Sequence, residues 1–270
     1  YCCLCVCYLR WKQLPMRTLA MAGCSLLGGA LAAIVLIPTY YALQLTYSVN
    51  NAFPTAVQFY ENWRTLAANL ISFHEPTSKD GLPNLACGVL PLVLIGPFLR
   101  SGRIRIREKI MAVLVLAFLM ISCNCNVLNY IWHGFHYPNS LPCRQSYIYI
   151  WLVLLICYEA YIHLAQTPWK QVVRAFGYAV AFVLMAQKLL ENNEQFHFVV
   201  FYVAILFLAL YLAGIAWYKK KPRWRCIILF YTLAVVTIEA SVNTAVTSVT
   251  TTSRTEYTRD NSAVENLVST

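Results

Sequence analysis

The sequence predicts an all-α protein built as a polytopic transmembrane helical bundle. Of its 270 residues, 59% are hydrophobic and only 12% are charged, and the mean hydropathy is +0.55. Soluble domains carry about twice that charged fraction. The apolar residues occur in runs of roughly 20, the length that a helix needs to cross the hydrocarbon core of a bilayer.

About seven of these runs are expected to be membrane-spanning helices. They lie at residues 19–47, 85–99, 110–128, 146–165, 171–190, 197–217 and 226–248. The second run is short and contains Pro91 and Pro97, so we expect a kinked or partly re-entrant segment. Residues 1–9 resemble the end of a further, partial span. Because no initiator Met precedes them, we expect an internal fragment with a transmembrane domain over residues 1–248.

The distribution of basic residues predicts how the bundle is oriented. Most of the 21 Lys and Arg residues lie in alternate segments, around 10–17, 100–109, 170–174 and 219–225. By the positive-inside rule these segments face the cytoplasm. Segments 48–84, 129–145 and 191–196 and the tail 249–270 would then lie outside, the tail either disordered or the start of an outer soluble segment. The net charge of +10 therefore reflects topology. Cations spread over four segments do not predict nucleic-acid binding.

The cysteines give no disulfide or metal framework. The chain has 11 of them, and all but Cys143 lie in or beside the apolar runs, where Cys behaves as a small hydrophobic residue. Cys123 and Cys125 are two residues apart and would point to different faces of a helix. We therefore predict no disulfide and no zinc site.

Segment 48–84 is long for a connector and contains a helical pattern. Phe59, Trp63, Leu66 and Leu70 are spaced by four, three and four residues, which places them on one face of a helix. This predicts an amphipathic helix in the membrane interface. A helix packed inside a small outer domain explains the pattern equally well.

The loop at 129–145 concentrates the residues that could do chemistry. The candidates are Asn129, Trp132, His133, His136, Tyr137, Asn139 and Arg144, with His74 and Asp80 of the preceding outer segment as possible accessory residues. Arginine presents a planar fork that suits phosphate, and a neutral histidine can share a proton or a metal with a phosphate oxygen. This predicts a site for the phosphate of a lipid-linked donor. For Trp132 and Tyr137, the alternative is an aromatic belt at the membrane surface.

Two pairs of polar residues fall inside apolar runs. Glu159 and His163 are four residues apart, and so are Glu239 and Asn243. Ionisable groups in a membrane are functional candidates. We favour hydrogen bonds, made within each pair or to a neighbouring helix, as the explanation.

The loop also carries a resemblance to a known family. The run Asn129–Tyr147, NYIWHGFHYPNSLPCRQSY, resembles the signature loop of the YfhO family of large bacterial membrane proteins, N-x-x-W-x-G-F-x-x-P-N-x-x-P-x-R followed by an aromatic span. Residues 82–84 and 253–261 add to the similarity.

The resemblance implies a fold of the glycosyltransferase C (GT-C-like) type in a bacterial plasma membrane. It implies transfer of a sugar from a polyprenyl-phosphate donor, a membrane lipid, to an envelope polymer such as lipoteichoic acid. It also implies a catalytic Asp in an outer loop preceding Tyr1, so that the catalytic residue itself is unassigned. Arg144 and His133 or His136 would stabilise the leaving phosphate, with or without a divalent cation (Mg or Mn). A transporter or lipid flippase is the alternative from another class, and a scaffold for envelope enzymes is a third.

Overall fold

The computed structural model describes residues 13–45, 52–74, 76–77, 83–136, 143–190 and 196–247. Over these ranges the regular structure is helical, apart from one isolated bridge. The α-helices are α1 (Leu14–Gln44), α2 (Trp63–Ala68), α3 (Leu90–Arg100), α4 (Ile106–Asn124), α5 (Asn126–Trp132), α6 (Ser146–Ile162), α7 (Trp169–Leu189), α8 (Phe198–Lys220) and α9 (Arg225–Thr247). The prediction of an all-α fold is confirmed.

Each predicted apolar run contains a helix, but the helices differ in length. By length and composition, α1, α7, α8 and α9 could each cross a membrane. In contrast, α3 has 11 residues and α6 has 17. At 1.5 Å per residue these helices are about 16 and 26 Å long, against a hydrocarbon core of roughly 30 Å. The number of spans stays a prediction.

Two predicted runs are interrupted. In run 85–99 the helix begins only at Leu90, because Gly88 turns the chain with a φ of +94° and Pro91 sits in the first turn of α3. Run 110–128 is broken at Cys125, which is extended (φ −106°, ψ 125°) and separates α4 from α5. Helix α5 then continues to Trp132, so the first four residues of the expected loop 129–145 are helical.

The prediction of an amphipathic helix from Phe59 to Leu70 is wrong in the length of the helix. Helix α2 has six residues and begins at Trp63, where the side chain of Asn62 caps it by accepting from the backbone N–H of Arg64. Phe59 precedes the helix and pairs with Cys125 in an isolated antiparallel bridge. Leu66 is fully buried in the core. The physical reason for the short helix is that backbone groups of residues 56–61 bond to the side chains of Asn124, at the end of α4, and Asn126, at the start of α5.

Helix α3 lies at the centre of the bundle and packs on α6, α7 and α8. Its closest approach is to α7, where a Cβ placed on Gly96 would lie 2.6 Å from the Cβ of Ala175. The core includes Leu66, Val93 and Leu208, so it joins the segment that contains α2 to the bundle. The described side chains of α1 are mostly exposed and apolar all round, which is typical of a helix that faces lipid.

A buried carboxylate from the last helix caps α3. Glu239 is 5% exposed and accepts from the backbone N–H of Val89 (2.7 Å) and from the hydroxyl of Tyr211. A carboxylate is favourable there because the N-terminus of a helix carries a partial positive charge. Four residues on, Asn243 accepts from the backbone N–H of Phe73 (2.9 Å). Hydrogen bonding to neighbours therefore explains this intramembrane pair.

The other intramembrane pair differs. Glu159 is exposed and makes no hydrogen bond to the residues that the structure describes. The helix ends before His163, whose backbone carbonyl accepts from the hydroxyl of Thr167 (3.0 Å). The expectation of an interhelical hydrogen bond for Glu159 is wrong because its side chain lies on the outside of α6.

Candidate functional site

Two asparagines at the break between α4 and α5 hold residues 56–61 against the bundle. The side chain of Asn124 donates to the carbonyl of Glu61 (3.0 Å) and accepts from its N–H (2.9 Å). Asn126 donates to the carbonyl of Ala56 (2.9 Å) and accepts from the N–H of Gln58 (2.9 Å). We call these contacts the asparagine clasp. They satisfy backbone groups that a helix or sheet would otherwise satisfy.

One turn after the clasp, Asn129 begins a group of polar residues that we call the loop cluster (Asn129, His133, His136, Arg144 and Gln145). The amide of Asn129 accepts from Gln145 and donates to the hydroxyl of Tyr60, both at 3.4 Å, which is long for a hydrogen bond. The carbonyl of Asn129 accepts from Nδ1 of His133 at 2.8 Å. Helix α5 thus positions His133 through its own backbone.

Burial is the main cause of a shifted pKa at His133. It lowers the pKa of His133, the nearby Arg144 and His136 side chains lower it further, and the hydrogen bond to Asn129 opposes both effects. The ring centres of His133 and His136 are 6.4 Å apart. At neutral pH His133 is therefore uncharged. With its proton on Nδ1, its Nε2 is a hydrogen-bond acceptor.

Two acceptor atoms of the loop cluster are buried without a partner. Nε2 of His133 and Oε1 of Gln145 make no hydrogen bond to the residues that the structure describes. Unsatisfied buried polar atoms are rare because each costs about 1–3 kcal/mol. The positive charge of Arg144, whose guanidinium has five N–H donors, is close enough to His133 to lower its pKa. Together these groups could bind a ligand that offers both hydroxyl donors and an anion.

The backbone of the loop is strained at two of its described residues. Phe135 (φ 64°) and Cys143 (φ 55°) are in the left-handed region, which costs about 1–3 kcal/mol for such residues. Cys143 is buried and donates from Sγ to the carbonyl of Cys123 (2.8 Å). A hydrogen bond with the Cys123 side chain, together with burial, raises the pKa of Cys143, so it remains a thiol. The hydrogen bond to Cys123 thus fixes the position of Cys143, the neighbour of Arg144 in the chain.

Of the remaining predicted site residues in this loop, the structure describes only Trp132. Trp132 is the last residue of α5 and is exposed, as either of its two interpretations requires. Tyr137 and Asn139 lie outside the described residues, and so does Asp80. Their assignment stays a prediction.

His74 lies in a separate environment. Its Nδ1 donates to the carbonyl of Ile71 (2.7 Å), and its ring stacks on Phe196 with 5.0 Å between ring centres. Burial lowers the pKa of His74. It lines a cavity of about 140 Å³ with Asn84 and Asn243. Among the described residues, no hydrogen bond or ring contact joins His74 to the loop cluster.

The described residues do not fit a Mg or Mn ion. Both are hard cations that prefer carboxylate and carbonyl oxygens, whereas the loop cluster offers two imidazoles, two amides and a guanidinium. No group of three or more His, Cys, Asp or Glu side chains occurs in the parts of the chain that the structure covers.

Sequence reasoning missed the asparagine clasp and Gln145. The signal was present, since Asn124, Asn126 and Asn129 are three amides at the end of an apolar run. Amides in such a position need partners, which here come from residues 56–61 and from Gln145.

The fold and the loop cluster together define an integral membrane protein whose apolar helical bundle has a polar loop at one end. The chain belongs to the YfhO family, because the family model described as "Bacterial membrane protein YfhO" matches residues 1–270. No curated protein and no solved structure matches the chain. Family membership and the apolar helices establish a bacterial membrane protein. Which loops face outward stays a prediction.

Proposed function

We propose that this chain carries the donor-binding end of a membrane glycosyltransferase. The donor is a polyprenyl-phosphate sugar, and the acceptor is an envelope polymer such as lipoteichoic acid. The observation that carries this proposal is the pair of buried acceptors without a partner among the described residues, His133 Nε2 and Gln145 Oε1, together with the charge of Arg144 near His133. A sugar phosphate offers hydroxyls that these acceptors can bind and an anion of the kind that a guanidinium binds.

In the proposed reaction, an acceptor hydroxyl attacks C1 of the sugar. The bond between C1 and the phosphate oxygen breaks, its electron pair stays on the phosphate, and the hydroxyl proton goes to a base. Arg144 stabilises the negative charge that develops on the leaving phosphate. His133 is neutral before the donor binds, and it accepts a hydrogen bond from a hydroxyl through Nε2.

The transporter alternative has less support. Coupled transport needs ionisable groups in the bundle that can change partners. Glu239 is buried, but both of its oxygens are already bonded, to Val89 and Tyr211, and Glu159 is exposed on the outside of α6.

The test measures sugar transfer from a synthetic polyprenyl-phosphate sugar in membranes of cells that make the intact protein. His133→Ala, His136→Ala and Arg144→Ala should each lower transfer, with the Arg144 variant losing on the order of 100-fold because it removes a donor to the developing charge. Normal protein levels exclude a folding defect.

Two variants supply matched controls. His197→Ala and Arg64→Ala remove exposed residues of the same types outside the loop cluster, so they should retain full activity. Full transfer in all three cluster variants would refute the site. Movement of the labelled donor across the membrane without any transfer would favour the flippase.

A further inference from the structure

A larger cavity lies away from the loop cluster, between α3, α6, α8 and α9. Its volume is about 580 Å³, within the range of roughly 300–1,000 Å³ that is typical of ligand sites. The walls are mostly aliphatic and aromatic, with Leu94, Ile215 and Ile228 among them. The cavity follows α8 from Tyr218 to Tyr211, about 10 Å of helix. Such an interior takes hydrocarbon.

The cavity has positive charge at one end. Arg225, the first residue of α9, lines it, and the guanidinium carbon lies 6.0 Å from the centre of the Tyr218 ring. Lys220, Lys221 and Arg223 are exposed in the same turn of the chain, and none of their side chains has a hydrogen-bond or ion-pair partner among the described residues. These four residues form what we call the cationic rim (Lys220, Lys221, Arg223 and Arg225).

Lys219, in the same turn, has a structural role. Its ammonium donates to the carbonyl of Leu164 (2.8 Å) and also to that of Thr167. Lys219 therefore satisfies backbone carbonyls in the turn that follows α6, and it is not part of the cationic rim. The four rim residues have no such role in the described part of the chain.

We propose that this cavity holds one acyl chain of an anionic phospholipid, whose phosphate is bound by Arg225 and the rest of the cationic rim. An apolar cavity beside a cluster of cations matches a molecule with a hydrocarbon chain and a phosphate. A neutral lipid would leave the cations unused, and free phosphate would leave the apolar walls wet. Basic pockets between transmembrane helices are typical sites for anionic headgroups. The proposal is independent of the proposed sugar transfer.

A cysteine of the natural sequence can report whether this cavity is occupied. Cys226 lines the cavity and is exposed, whereas Cys24 is exposed on α1 and does not line it. The purified full chain is reconstituted in phosphatidylcholine vesicles with or without phosphatidylglycerol. It is then treated with N-ethylmaleimide, and peptide mass spectrometry measures the modification rate of each cysteine. Phosphatidylglycerol should slow Cys226 several-fold and leave Cys24 unchanged.

Substitution tests the charge. Arg225→Gln should weaken protection of Cys226 about fivefold, the effect expected for one cation at a membrane surface. The matched control is Arg174→Gln, an exposed arginine of α7 that does not line the cavity, and it should leave protection intact.

Three results would overturn the proposal. One is equal modification of Cys226 with and without phosphatidylglycerol in the wild-type protein. Another is equal loss of protection in both arginine variants. The third is full protection by inorganic phosphate in pure phosphatidylcholine vesicles, which would point to a phosphate site without a lipid chain.

Discussion

Replacing Glu239 by leucine is expected to destabilise the bundle more than any other single change to an ionisable residue of α9. The carboxylate accepts from the N–H of Val89 at 2.7 Å and from the hydroxyl of Tyr211. Leucine has a similar volume but accepts nothing. Both donors would be left buried, and each costs about 1–3 kcal/mol when unsatisfied, so the expected loss is about 2–6 kcal/mol.

Two further variants separate the contributions that the two hydrogen bonds make to this loss of stability. In Glu239→Gln, an oxygen remains for Val89, and Tyr211 can turn its hydroxyl to accept from the amide, so about 1–2 kcal/mol should be lost. Tyr211→Phe removes one donor and leaves one carboxylate oxygen unpaired. It should fall between the glutamine and leucine variants.

The assay is thermal unfolding of the purified protein in detergent at a fixed heating rate. A loss of several kcal/mol in a chain of this size lowers the midpoint on the order of 10 °C. Glu159→Leu is the matched control, because that glutamate is exposed on an apolar helix and should change stability little. A Glu239→Leu protein that unfolds at the wild-type temperature would refute the assignment of Glu239 as the cap of α3.

Three other perturbations test different contacts. Asn126→Ala removes two bonds of the asparagine clasp, worth about 2 kcal/mol, so thermolysin should cleave within residues 52–62 about 30-fold faster. An unchanged rate would mean that the clasp does not hold this segment. Gly96→Ala places a methyl group 2.6 Å from Ala175 and should cost about 1–3 kcal/mol in thermal unfolding, whereas Gly177→Ala, which meets no atom within 4 Å, should not destabilise. Burial lowers the pKa of His74 below its usual 6.5, so the unfolded chain binds the proton more tightly and stability falls as pH drops through 6.5. His74→Gln should therefore lose less stability than the wild type between pH 7 and pH 5. The same dependence of stability on pH in both proteins would contradict a buried neutral imidazole.

The fold class follows from composition and apolar runs, but the breaks in the helices do not. Glycine and proline near Gly88 and Pro91 indicate a change of direction without giving the residue at which α3 starts. That start depends on Glu239, which lies 150 residues away along the chain. A pattern of helix periodicity contains no information about such a distant partner.

The candidate site was only partly predictable, because contacts between residues that are distant in sequence leave no local pattern. Residues close in sequence, such as His133 and His136, were expected to lie together, and their rings do. The partners of Asn129 were not predictable, because Tyr60 reaches it from an extended segment that the spacing of Phe59 and Trp63 had assigned to a helix. Tertiary contacts from the asparagine clasp override local periodicity there.

The distance in sequence between Val89 and Glu239 has a consequence for biogenesis. A ribosome that adds roughly 5–20 residues per second needs about 8–30 s to make the 150 residues between them. Until α9 emerges, the first turn of α3 has no carboxylate to accept from it. The first turn of α3 is therefore capped only after α9 has been made, and a ribosome that stalls before residue 239 leaves a chain in which α3 lacks this carboxylate.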